Sequence, residues 1–458
     1  MTMLQCISPV DGSVYAERPA MDFDAARSAV DETRRAQAKW AARPLDERVR
    51  LVLAGIEAVG AMNDEIVPEL AWQMGRPVRY GGEFAGFAER GRYMADIAAT
   101  ALADIEVGSD NKFHRYIRRL PWGVVFVVAP WNYPYMTAIN TVAPALIAGN
   151  AVVLKHATQT LLAGERMARA FHSAGIPDAV FQNVFLDHDT TDALLRARTF
   201  DAVNFTGSVA GGQAMERAAA GTFVPVATEL GGKDPGYVME DADVAAAVDT
   251  LMDGAMFNSG QCCCGIERIY VHDRHYDAFV ERAVAWAQAQ VLGNPLDRET
   301  TIGPMAHARF AAHVRAQTEA AVAAGATAHL ETDPADDGGA YLGPQVLTDV
   351  THDMDVMREE SFGPVVGIMR VEDDDEAVRL MNDSRYGLTA SLWSADEVRA
   401  AALSDRIETG TVFLNRADYL DPGLCWTGCK DTGRGGGLSV IGYHNLTRPK
   451  SYHLKVSP

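Results

Sequence analysis

The sequence predicts an α/β protein built as two successive halves, each on a parallel sheet. Three observations carry that expectation. Short β-branched apolar runs recur from Gly123 onward, segments of helical patterning fill the intervals, and a second series of the same kind starts after Gly231. Buried strands alternating with helices imply βαβ units, because the chain must cross over a helix to re-enter a parallel sheet.

Before that region the chain reads as helices. Asp24 to Trp40 opens on an acidic cap and sets Ala26, Val30 and Trp40 among charges. Leu45 to Ala61 follows, with Val49, Val52, Ile56 and Val59 at helical spacing, until Gly75 and Pro77 break the pattern. Strands are expected at Val124–Val128, Ala151–Leu154, Asn183–Leu186, Ala202–Phe205 and Pro225–Thr228, with helices such as Thr160–Ala174 and Gly211–Ala220 between them. In the second series the expected strands are Ile266–Val271, Val365–Val371 and Thr411–Asn415. Phe113–Leu120 and Arg448–Val456 look like extended arms whose open backbone needs a partner, such as another subunit. Asp333–Gly339 reads as an acidic surface loop.

Composition narrows the function. The 458 residues carry a net charge of −20, which disfavours nucleic acid and anionic membranes as partners because both would repel the surface. No apolar run is long enough to span a bilayer, and the start MTMLQCISPVDG has no basic segment leading into an apolar core, so neither an anchor nor a secretory leader is expected. Of the six cysteines, Cys262, Cys263 and Cys264 are consecutive. Adjacent cysteines cannot readily each find a disulfide partner, so a reducing, cytoplasmic setting is expected.

That cysteine run is also the first chemical signal. A thiolate attacks an aldehyde carbonyl to give a thiohemiacetal, which can release a hydride and become a thioester. Taken alone, three cysteines could equally be three small buried apolar residues; with no CxxC spacing, no metal site is expected. Glu229 closes an apolar strand ahead of Gly231 and Gly232, a place where a partly desolvated carboxylate gains a pKa suited to a general base. Asn132, in Ala129-Pro130-Trp131-Asn132-Tyr133-Pro134, follows a strand and offers an amide donor to an oxyanion, although an Asx-type turn would also explain it. Lys155 ends Val152-Val153-Leu154-Lys155, and Phe205-Thr206-Gly207-Ser208 with Gly212 opens a helix; both suit phosphate and ribose, without a GxGxxG fingerprint. Glu359-Glu360-Ser361-Phe362-Gly363-Pro364 lies in the second half.

In this order, PWNYP, VVLK, FTGS, ELGGK, GQCCC and EESFGP resemble the motifs of the aldehyde dehydrogenase superfamily, over nearly the whole chain. The resemblance implies an aldehyde dehydrogenase-like fold. A Rossmann-like cofactor domain would span 1–102 and 122–231, an α/β catalytic domain 232–431, and an oligomerisation β-arm 103–121 and 432–458. It further implies Cys263 as nucleophile, Asn132 and the Cys263 N–H as oxyanion hole, and Glu229 as activator of the hydrolytic water. Trp131, Lys155, Thr158, Gly207, Ser208, Gly212, Leu230, Glu360 and Phe362 would hold NAD or NADP. Tyr133, Asn140, Cys262, Cys264 and the loop Asp418–Trp426, including Trp426, would line a tunnel for a small-molecule aldehyde. A homodimer or homotetramer joined through the arms is implied as well.

Three positions depart from the family's pattern. Thr158 stands where NAD-preferring members carry a glutamate, so the charge that would repel a 2′-phosphate is missing and both cofactors stay open. Gly437 replaces a glutamate proposed elsewhere as a proton relay, which puts more weight on Glu229. Asn140 stands where members acting on succinic semialdehyde carry an arginine, which weakens a carboxylate-tailed substrate without excluding it. Glu229 argues against a coenzyme A-dependent acylating enzyme, the joint presence of Cys263, Glu229, Asn132 and Lys155 against a catalytically retired protein, and the lack of a contextual partner histidine against a cysteine hydrolase.

Overall fold

A computed structural model describes residues 2–110, 112–330 and 339–456. The helices Phe23–Ala41 and Leu45–Gly60 form where the periodicity placed them. Asp22 caps the first by accepting a hydrogen bond from the Ala25 N–H at 2.8 Å, and Trp40 is buried with its indole N–H on the Leu146 carbonyl. Leu51, Val52, Ile56 and Val59 face a core shared with the helices Phe84–Ala101 and Pro134–Ala148. The N-terminal segment is not helical from the outset. Met3–Ile7 and Val14–Pro19 pair as an antiparallel ribbon in which only Cys6 is buried, so there is little apolar alternation by which to read it.

The first sheet has five parallel strands in the spatial order Phe181–Asn183, Ala151–His156, Val124–Ala129, Ala202–Thr206, Val226–Glu229. Its two central strands are buried at every position, which is why their sequence reads as continuous rather than alternating. The outer strand lies earlier than the expected Asn183–Leu186. Pairing to Val152–Leu154 ends at Asn183, and Val184 and Leu186 are buried in the following loop instead. Chain order reverses beside Val124–Ala129, which opens a crevice at the carboxyl ends of that strand and Ala202–Thr206.

Only Leu230–Lys233 separates the first sheet from the second. The second has seven strands, in the order Thr327–Ala328, Gln345–Thr348, Val365–Val371, Ile266–His272, Asp234–Val238, Thr389–Trp393, Thr411–Leu414, all parallel except the first. Its amino edge therefore faces the carboxyl edge of the first sheet.

The two arms are strands, but each finds its partner within the chain. Thr447–Lys455 pairs antiparallel with Phe113–Pro121 along its full length, and Ile105–Glu106 flanks the latter. Pro449 is tolerated because its strand is an edge, with no N–H needed on the open side. Of the expected acidic loop, 333–338 lie outside the described residues. No helix among the described residues is long and apolar enough to cross a membrane.

Candidate active site

A cavity of about 1130 Å³ occupies the gap between the two sheets. It exceeds the roughly 300–1,000 Å³ typical of single small-ligand pockets, leaving space for two ligands end to end. Residues from both halves line it.

The cysteine run approaches from the second half, in the loop before Ile266–His272. Asn258 and Ser259 have φ of 54° and 58°, and Gly260 has φ of 70°. Three successive left-handed residues turn the chain sharply, and a Cβ on Gly260 would collide with the Gly363 carbonyl. The turn is pinned by Gln261, whose amide donates to the Asn258 carbonyl at 3.0 Å and accepts from the Ala306 N–H at 2.7 Å. Cys262 and Cys264 point inward, and both thiols donate to Asp418 Oδ1, at 3.2 and 2.9 Å. Cys263 stays half-exposed to the cavity. The flanking thiols, with all three sulfurs within 4.8 Å of one another, lower its pKa and favour the thiolate. All six cysteines are free thiols.

Asn132 arrives from the first sheet, just past Val124–Ala129, where Pro134 starts the next helix. It is buried, and its Nδ2 lies 3.3 Å from the Gln261 carbonyl, directly against the cysteine loop. Arg76 fixes it from behind. The guanidinium donates to the Asn132 carbonyl at 2.5 Å and to Asn258 Oδ1 at 3.1 Å, pairs with Glu83 at 2.8 Å and lies over the Tyr133 ring at 4.7 Å.

Glu229 ends the strand Val226–Glu229 and lines the same cavity. The N–H groups of Gly436 and Gly437 lie beside its carboxylate and favour the charged form, although the latter donates to the Trp426 carbonyl at 2.8 Å; Oε2 is sealed from solvent with no partner. Burial outweighs that backbone effect and raises its pKa to about 8. A Cβ on Gly435 would overlap Oε1, so the glycine run Gly435–Gly437 makes room for this carboxylate where a larger side chain would not.

At the crevice, Lys155, one residue before the end of its strand, is nearly buried, with no ion pair or hydrogen bond among the described residues. Burial lowers its pKa to about 8, opposed by Asp187. An unpaired cation at a strand's carboxyl end calls for an anion. The helix Val209–Ala219 opens on the same crevice, capped by Ser208, whose Oγ accepts from the Gly211 N–H at 3.2 Å. Thr158, Gly207 and Leu230 also line the cavity. Gly212 does not: a Cβ there would press on Leu230, so its role is packing, and Gly211 holds the cavity position instead.

Phe362, from the second half, meets Trp131 of the first edge to face at 5.4 Å, and Phe310, also from the second half, stacks on Trp131 at 5.2 Å. Glu360 accepts from the Gly232 N–H at 3.1 Å, and burial raises its pKa to about 8. A Cβ on Gly231 would overlap the Glu360 carboxylate, which gives that glycine a steric reason rather than a dihedral one. Beneath this loop, Lys233 and Glu267 form a fully buried ion pair at 2.6 Å, and Glu267 accepts the Ser361 and Phe362 N–H groups at 2.8 Å each.

Tyr133, Asn140, Cys262, Cys264 and Trp426 line the remaining part of the cavity. Sequence reasoning passed over Arg76, Arg90, Phe310 and Asp418 as individual residues. Arg90 carried a readable signal: it is a charge set between Phe87 and Met94 on an apolar helical stripe. Phe310 carried none.

A family model described as the aldehyde dehydrogenase family matches residues 1–452. A succinate-semialdehyde dehydrogenase [NADP(+)] 1 of Mycobacterium tuberculosis is 33% identical over 451 residues, covering 97% of this chain and 98% of that protein. Among solved structures, PnpE in complex with nicotinamide adenine dinucleotide is 30% identical with a TM-score of 0.95, covering 100% of this chain and 95% of that one. Succinic semialdehyde dehydrogenase from Streptococcus pyogenes, in complex with NADP+, is 28% identical with a TM-score of 0.94, covering 99% of this chain and 100% of that one.

Proposed function

Since the chain belongs to the aldehyde dehydrogenase family and is thereby an NAD(P)-dependent oxidoreductase acting on aldehydes, we propose that Cys263, Asn132 and Glu229 carry its reaction in three successive roles. The convergence of these three side chains on one cavity, beside an unpaired lysine at a sheet's switch point, is the observation that carries the reading.

The Cys263 thiolate attacks the aldehyde carbon. Asn132 Nδ2 and the Cys263 N–H then stabilise the negative charge that develops on oxygen. Bound nicotinamide supplies the hydride acceptor, which leaves a thioester on Cys263. Glu229, in its ionised form, takes a proton from the water that attacks this thioester, and the carboxylic acid departs. Lys155, Ser208 and the helix N-terminus fit the cofactor's anionic and ribose groups, and Trp131, Leu230, Glu360 and Phe362 fit its nicotinamide end. Thr158 presents no charge to a 2′-phosphate, so NADP is accommodated as well as NAD. The relatives named for succinate semialdehyde make a semialdehyde the first substrate class to assay.

The domain division follows the sheets: 1–102 and 122–231 for cofactor, 232–431 for catalysis, and the arm from 103–121 and 432–458. The open edge of Thr447–Lys455 supports a homodimer or homotetramer. Six free thiols support a cytoplasmic setting.

The test is NAD(P)H formation from an aldehyde panel, with and without coenzyme A, in the parent and in Cys263→Ala. Turnover without coenzyme A that vanishes in the variant, while cofactor still binds, is expected. Strict dependence on coenzyme A, or turnover in the variant, would overturn the assignment.

A further inference from the structure

Arg90 lies on the buried face of Phe84–Ala101, only 8% exposed, yet it lines the cavity that holds the cysteine loop. A buried guanidinium has five N–H donors and a fixed charge to satisfy. Here a single bond is made, from Nη1 to the Met136 carbonyl at 3.1 Å. Nε and Nη2 meet no acceptor among the described residues, and neither is sealed, so both remain open to the cavity.

The neighbouring acids are already engaged. Glu83, on the same helix, pairs with Arg76 and accepts the Tyr135 and Met136 N–H groups at 3.0 and 2.7 Å. Glu89 is exposed and accepts from the Tyr419 hydroxyl at 2.9 Å. Asp418, from the second half, takes the thiols of Cys262 and Cys264. Burial raises its carboxyl well above the usual range, and its Oδ1 is taken up by those two thiols. Of the other titratable neighbours, the Cys264 thiol donates to Asp418 and Cys263 faces the same cavity. One turn beyond Met136 on the helix Pro134–Ala148 sits Asn140, also on the cavity wall. A cation with spare donors and an amide whose Nδ2 can donate thus line the same cavity.

We propose that the Arg90 guanidinium, with Asn140 beside it, receives a carboxylate carried on the tail of the aldehyde. Resting on the reading of Cys263 as nucleophile, this adds the charge class of the substrate and the residue that selects it. The cation comes from a different helix than the arginine that the family pattern would set at position 140. A carboxylate fits because two coplanar oxygens match the guanidinium fork.

The experiment uses the full chain with its cofactor. It compares kcat/KM for succinic and glutaric semialdehydes with butanal and pentanal, in the parent, Arg90→Met and Arg90→Lys. Arg90→Met is expected to lower kcat/KM for the semialdehydes by about 10- to 100-fold, mainly through KM, and to leave the uncharged aldehydes within about threefold. Arg90→Lys should recover part of the loss. An equal loss on both substrate sets, with a shifted pH dependence of Cys263 alkylation by iodoacetamide, would overturn the proposal and make Arg90 a partner of the thiolate. In the parent alone, so that folding of a variant is not at issue, succinate should protect Cys263 from iodoacetamide where butanamide does not; equal protection would also overturn it. Absence of NAD(P)H from every aldehyde would instead strike the proposed function itself.

Discussion

The pH at which the thioester breaks down reports the environment of Glu229. Its carboxyl sits at about 8 instead of 4.5, because burial penalises the charged form more than the Gly436 and Gly437 N–H groups favour it. As general base it works only when ionised. The ionised fraction is then about 0.1 at pH 7 and about 0.9 at pH 9, so hydrolysis should rise about tenfold across that window. A carboxylate at its ordinary value would give a flat profile there. An activated ester such as p-nitrophenyl acetate acylates Cys263 without any hydride step, and the decay of the acyl-enzyme in a double-mixing stopped-flow experiment isolates hydrolysis. Glu229→Gln should remove the pH dependence and leave an acyl-enzyme that accumulates. Lys155 and Glu360 also titrate near 8, and both persist in that variant, which makes it the control. A midpoint below about pH 6, or a profile unchanged by Glu229→Gln, would refute the reasoning. The stability linkage has a definite sign. A raised folded-state pKa stabilises the fold most below pH 4.5 and loses that contribution as pH rises through about 8.

Asn132→Ala should slow acylation by about 10²–10³-fold with cofactor affinity retained, as expected for one oxyanion donor; a change under threefold in rapid-mixing kinetics would exclude that role. Thr158→Glu should weaken NADP by about tenfold or more and leave NAD within about threefold, read by fluorescence titration; equal effects on both would place the 2′-phosphate elsewhere. Truncation after Leu446 removes the strand Thr447–Lys455 and leaves Phe113–Pro121 unpaired, so light scattering should report a smaller assembly or aggregation. An unchanged mass would separate the arm from assembly.

What could be read in advance followed the strength of the local signal. Val124–Ala129 and Ala151–His156 are buried on both faces and announce themselves as apolar runs. The ribbon Met3–Ile7 with Val14–Pro19 rests on long-range docking of mostly exposed residues and leaves no such trace. Cys263, Glu229 and Asn132 could be singled out because each sits at a strand end or tight turn, within a motif of fixed order, and all three line one cavity. Gly212 was read as part of a glycine-opened helix N-terminus for phosphate and ribose, but what packs against it is Leu230. The pairing of the arms with each other depends on residues more than 300 positions apart, which periodicity cannot see.

The buried pair of Lys233 and Glu267 ties protein integrity to the shape of the cavity wall that carries Glu360 and Phe362. Neither side chain reaches a ligand, yet Glu267 holds the backbone that carries Glu360 and Phe362. Deleting one partner strands the other charge in an apolar interior, at a cost of about 3–5 kcal/mol. Such a lesion would surface as poor yield and heat lability together with weak dinucleotide affinity. A screen scored on turnover alone would rank Lys233 beside the nucleophile, although its contribution is architectural.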